Sequence, residues 1–187
     1  MSGPQSQQEP FIAVSNIVVF PHAVQRIKLT TDIEFSGRHV VLIYKTKQSH
    51  SSTGVLCEII DDQLQSDGHF LVLEGMQRVN IESLDDLTVT FRRYEETLSL
   101  TNDVLHLSET IYDTFKQHHQ LIHSDDVSMD TLISVIHPNQ PNELADFIAS
   151  YLPIGYEQKL AIIESINVYH RLELVQHALN KLFIDSK

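Results

Sequence analysis

Residues Gly54–Ile81 read GVLCEIIDDQLQSDGHFLVLEGMQRVNI. Asp67-Gly68 stands between two apolar runs, and Asp-Gly is a strong signal for a tight turn between antiparallel strands. The spacing predicts a hairpin of residues 54–64 with 69–74. Gly75 breaks the second run. Val79 and Ile81 then alternate with Arg78, Asn80 and Glu82, as in a half-exposed strand.

Similar signals lie on either side. TVTFRRY (88–94) alternates, and HVVLIY (39–44) is a run of β-branched and aromatic residues. KTKQSHSSTG (45–54) reads as a polar loop, and VQRIKLT (24–30) as a strand with Val24, Ile27 and Leu29 mostly inward. Before it, NIVVFPHAV (16–24) runs an apolar strand into Pro21, which cannot donate to a sheet and so marks a strand end, an edge or a bulge. Six or so short strands with no helix between them predict a small barrel or sandwich over residues 11–97. MSGPQSQQEP (1–10) is polar and proline-punctuated, and is expected to be a disordered leader.

From about Ser99 the period changes. Val104, Leu107, Ile111, Phe115 and Ile122 recur at helical spacing, with Thr101 as a candidate N-cap. Ser128 is a second candidate cap, for a short helix ending at His137-Pro138. PNELADFIASYLP and YEQKLAIIESI read as two further helices. Val168, Leu172, Val175, Leu179 and Leu182 then form a narrow apolar seam. Residues 98–187 are therefore expected to be a helical bundle, and the class α+β.

The formal net charge is −12. Residues 1–97 carry 8 basic and 13 acidic side chains (−5); the remainder carries 5 and 12 (−7). Neither half offers the clustered Lys and Arg that phosphates need, so nucleic acid and anionic membranes are excluded as expected partners. No stretch resembles a signal peptide or a membrane span, which predicts a cytoplasmic protein. The lone Cys57, in an apolar run, reads as an inert buried thiol.

Motifs for chemistry are missing. GxSxG, GxxxxGK[ST], GxGxxG and HExxH do not occur, so no catalytic residue, cofactor or metal is expected. His119 and His123 could share a helix face, but zinc requires a third ligand. His170 and His177 lie two turns apart, about 10 Å along a helix, too far to share one ion. Asp61-Asp62, Asp85-Asp86 and Asp125-Asp126 read as turn residues.

Three blocks occur in an order that resembles the Lon protease N-terminal domain. They are NIVVFPHAV, the Gly54–Ile81 stretch with its EG-x-x-R corner, and NELADFIASYLPIGYEQKLAIIESINVYHRLELVQHAL with its LAD-x-I-A and R-L-E elements. The resemblance covers about Phe11 to Leu182. It implies a PUA-like β pseudo-barrel followed by an α-helical bundle, with Pro21 turning the chain at the barrel rim. It also implies a non-catalytic module that engages unfolded or degron-bearing proteins for ATP-dependent proteolysis. Unfolded or damaged proteins, an ATPase/protease partner or module and a homo-oligomer are the implied partners. A PUA-like nucleic-acid binder and a purely architectural domain are the alternatives. Phe20, Pro21 and His22 match one corner of the family, and Glu74, Gly75 and Arg78 the other. All six carry either a structural reading or a substrate-surface reading.

Two departures stand out. TTDIEFSGRHVVLIY (30–44) leaves room for a turn where the family has a helix. The family's ATPase and peptidase modules are missing, which fits either an excised domain or a free-standing one.

Overall fold

The computed structural model describes residues 5–29, 35, 37–66, 68–94, 100–122, 133 and 136–183. Two compact units form, Met1–Glu95 and Glu96–Lys187.

The first unit is built on strands β1 (Gln7–Val14), β2 (Val24–Lys28), β3 (His39–Lys45), β4 (His50–Gln65), β5 (Gly68–Leu84) and β6 (Thr88–Arg93). Their order is β2-β5-β4-β3-β1-β6, and β6 also pairs with β5, so five strands close into a barrel. β1 and β3 are parallel; the other pairs are antiparallel. Closure lets short strands bury a shared core of Val41, Ile43, Leu56, Val79, Ile81, Val89 and Phe91. Tyr44, fully buried, donates its hydroxyl to the Val19 carbonyl at 2.9 Å and ties β3 to the segment before Pro21. Tyr44→Phe leaves that buried carbonyl without its donor. Urea unfolding should show a loss of about 1–2 kcal/mol.

The expected hairpin is present, but longer than its sequence signal. Gly75 does not break the strand: β5 runs from Gly68 to Leu84, and the register shifts because Met76 opposes no residue of β4. A bulge absorbs the irregularity and leaves the ladder intact on both sides. The polar loop shrinks to residues 46–49, since His50–Thr53 already belong to β4. Asp61-Asp62 are strand residues, whereas Asp85 does sit in a turn, with its amide donating to Thr88. Ile27 and Leu29 are buried as expected, but Val24 faces outward at 61% exposure. The expected leader is also corrected. Gln7–Pro10 pair with Phe91–Thr88, and their polar side chains suit a strand with little apolar burial of its own.

The second unit contains α1 (Asn102–Ile122), α2 (Pro141–Tyr151), α3 (Tyr156–Glu164) and α4 (Val168–Phe183). Thr101 accepts from the Val104 amide at 3.3 Å, as an N-cap should. Asn167 caps α4 by accepting from the His170 amide at 3.0 Å. Phe115 of α1 meets Phe147 of α2 edge to face at 6.3 Å, beside buried Ile111, Leu144, Ile148, Leu172 and Val175. Among the described residues no helix is long and apolar enough to cross a membrane. The expectations for Asp67, Ser128, His123, Asp125-Asp126, the His119 side chain and most of Thr30–Ser36 concern positions outside the described residues.

Candidate functional site

The two corners read separately from the sequence form one junction. Phe20–Ala23 is a turn closed by the Ala23 amide donating to the Phe20 carbonyl at 3.1 Å. Its tip docks on β5. The His22 amide donates to Gly75 at 2.7 Å, and the Gly75 amide donates to Ala23 at 3.0 Å. The approach is so close that a Cβ on Gly75 would stand 2.2 Å from the Phe20 oxygen and 2.9 Å from its carbonyl carbon. Only glycine lets two backbones meet at that distance.

The junction fixes where β5 changes partner. Phe70–Glu74 pair with β2, whereas Val79–Leu84 pair with β6 on the same side. The Phe20–Ala23 turn delivers β2 to the first segment, and the Met76 bulge separates it from the second. Phe20 and Pro21 are buried and anchor the turn. His22 is exposed and has φ +64°, a left-handed conformation that costs a non-glycine residue roughly 1 kcal/mol or more. Glu74 is half-buried and lies between Val24 and Glu58 in the sheet. Arg78 belongs elsewhere. It pairs with Val55 beyond the bulge, its side chain is buried, and its carbonyl accepts from Tyr94. Three positions at or next to the junction, His22, Val24 and Met76, are exposed and make up its rim.

The helical unit contains a feature that the sequence reading missed. Arg171 of α4 is fully buried, with Nη1 3.5 Å from Oδ1 of buried Asp146 on α2. Its Nε donates to the Ser165 carbonyl at 3.0 Å and its Nη2 to Ile166 at 3.4 Å, so one guanidinium joins α2, α4 and the α3–α4 link. The LAD and R-L-E elements thus meet as the corners do. A signal existed. Arg171 precedes Val175 by four residues and Ala178 by seven, so it falls within the helix's buried stripe, where a cation needs a partner.

The other candidates stay apart from these contacts. Cys57 is buried, and burial pushes its thiol pKa far up, which fits an unreactive residue. His170 and His177 are both exposed, and His170 lies 3.5 Å from Glu173 on its own helix.

Residues 9–181 match the family model of the ATP-dependent protease La (LON) substrate-binding domain. The chain belongs to this family. The LON domain is similar to the Lon protease of Brevibacillus choshinensis, with 35% identity over 114 residues, 59% of this chain and 14% of that protein. It is also similar to the Lon protease of Desulforamulus reducens, with 28% identity over 185 residues, 88% of this chain and 23% of that protein. The LON domain therefore spans less than a quarter of these relatives' length.

Two solved structures share its fold. The N-terminal domain of Mycobacterium avium complex Lon protease has a TM-score of 0.79 at 18% identity, with 93% of this chain and 98% of that one covered. The Lon N-terminal domain protein from Xanthomonas campestris has a TM-score of 0.62 at 15% identity, with 91% and 98% covered. The LON domain thus has the α+β fold that the sequence implied, a six-stranded sheet followed by a helical set.

Proposed function

We propose that this LON domain is a non-catalytic recognition module that engages unfolded or degron-bearing proteins in a cytoplasmic setting and presents them to an ATPase/protease partner or module. The observation that carries this reading is the family match over residues 9–181. The rim at the corner junction supports a place for the contact. Met76 is 38% exposed on a bulge, beside exposed His22 and Val24. A flexible thioether next to an apolar side chain adapts to many sequences, as a module with varied clients requires. Affinity per domain should be modest, because ordering a flexible client opposes binding and avidity would come from several copies.

The test is a titration of the isolated chain with a destabilised reporter and with its folded parent. Binding to the unfolded form alone is expected. Met76→Glu should weaken it by about 1 kcal/mol, roughly fivefold, without a change in melting temperature. Equal or undetectable binding to both forms, at up to hundreds of micromolar, would favour an architectural domain. A salt-sensitive complex with RNA would favour the nucleic-acid reading.

A further inference from the structure

The sulfur-bearing side chains among the described residues are Cys57 and Met76, and both belong to the β4–β5 bulge. Cys57 pairs with Gly75, and Met76 follows Gly75 in the chain. Their settings are opposite. Cys57 is fully buried, with its thiol 3.6 Å from the Val55 carbonyl. Burial also pushes its pKa far up, so almost no thiolate forms for an oxidant to meet. Met76 is 38% exposed. A thioether needs no ionisation before it is oxidised, so access governs its reactivity.

The bulge sets Met76 apart from the ladders. On the β4 side, Leu56 pairs with Gln77 and Cys57 with Gly75, so Met76 opposes no residue. On the other side, β5 pairs with β2 as far as Glu74 and with β6 from Val79 onward, so Met76 falls in the gap between them. The backbone beside it is held without its side chain. The Gly75 amide donates to Ala23, and the Gly75 carbonyl accepts from His22. A bulge of this kind re-aims a side chain while the pairing continues on either side. A polar atom added to the Met76 sulfur therefore alters the surface and leaves the ladders as they are.

We propose that Met76 is a peroxide-sensitive switch on this module: its conversion to the sulfoxide weakens the hold on unfolded chains and leaves the fold unchanged. The inference rests on the recognition reading above, in which Met76 is part of the rim. The thioether sulfur attacks one oxygen of hydrogen peroxide. The O–O bond breaks, an S–O bond forms, and the other oxygen leaves as water after taking up the proton of the transferred hydroxyl. The sulfur is oxidised to the sulfoxide, and the peroxide is reduced. A thioether is apolar and can be covered by an apolar side chain of a client, whereas a sulfoxide oxygen is a strong acceptor that loses its water when covered. A sulfoxide reductase with a thiol donor reverses the step, so the switch runs in both directions.

The experiment uses the whole chain and its Met76→Leu variant, which keeps an apolar side chain of similar size without the sulfur. Each is treated with hydrogen peroxide, the peroxide is removed, and peptide mass mapping, thermal melting and titration with a destabilised reporter follow. In the wild type Met76 should gain one oxygen at roughly the rate of a short methionine peptide. Reporter binding should then weaken by about threefold, and sulfoxide reductases should restore it. The melting temperature should change by less than about 2 °C. Met76→Leu should bind the reporter equally before and after peroxide. It retains Met1 and Met129, so a loss of binding that persists in it would come from elsewhere and would overturn the inference. A Met76 that stays unoxidised, a wild type that binds equally before and after oxidation, or a melting temperature that falls with the sulfoxide would each overturn it and leave the recognition reading in place. An untreated chain that ignores the reporter would remove that reading and the switch together.

Discussion

Gly75→Ala is expected to destabilise the β unit by roughly 3–5 kcal/mol. The added methyl group meets backbone at 2.2 Å, and no side-chain rotation relieves such a contact. Either the Phe20–Ala23 turn or β5 must move by about an ångström. That movement stretches the bonds from His22 to Gly75 and from Gly75 to Ala23, worth about 1 kcal/mol each, and adds strain of about 1–3 kcal/mol. For a unit of this size the melting temperature should fall by at least about 12 °C in calorimetry. Gly37→Ala is the control. Among the described residues a Cβ there meets the His39 nitrogen alone, at 4.0 Å, so a change within about 0.5 kcal/mol is expected. Equal tolerance of both substitutions would show that the corner is not fixed by this contact.

Asp146→Ala should cost about 3–5 kcal/mol, because it leaves the Arg171 guanidinium buried without its carboxylate. The loss should appear in urea titrations followed by helical ellipticity. Asp146→Leu combined with Arg171→Met removes both charges and should recover much of the loss, since a buried pair and an apolar pair of similar volume are often close in stability. Recovery should stay incomplete, because the Ser165 and Ile166 carbonyls then lose their donor. A single variant as stable as the wild type would mean that Arg171 draws its compensation from those carbonyls alone.

How much was legible in the sequence depended on the range of the interaction. Thr101 as a cap, the helices after Pro141 and the Asp-Gly hairpin are written in residues a few positions apart, and local rules found them. Gly75 reads in the sequence as a break in an apolar run. Its partner is the Phe20 backbone, more than fifty positions away, and no local pattern names it. Gln7–Pro10 resemble a leader for a related reason. They have few apolar side chains, and only the pairing with β6 makes them a strand. Glu74 and Gly75 fell beside the Phe20–His22 corner, but the same reading grouped Arg78 with them, and a stagger of one bulge places it elsewhere. Val168, Leu172 and Val175 read as an apolar seam, and Arg171, between the first two of them, finds its carboxylate on another helix at Asp146, which no local pattern names.

Closure of the barrel through β1 has a kinetic consequence. The β4–β5 ladder joins residues that lie close along the chain, and such hairpins form within about 1–10 µs. Gln7 pairs with Phe91, near the opposite end of the unit, and β1 also pairs in parallel with β3 on its other side. Loops of that length resist closure until other contacts have shortened the chain. The nascent polypeptide thus carries the β6-facing edge of β1 unpaired until β6 has left the ribosome.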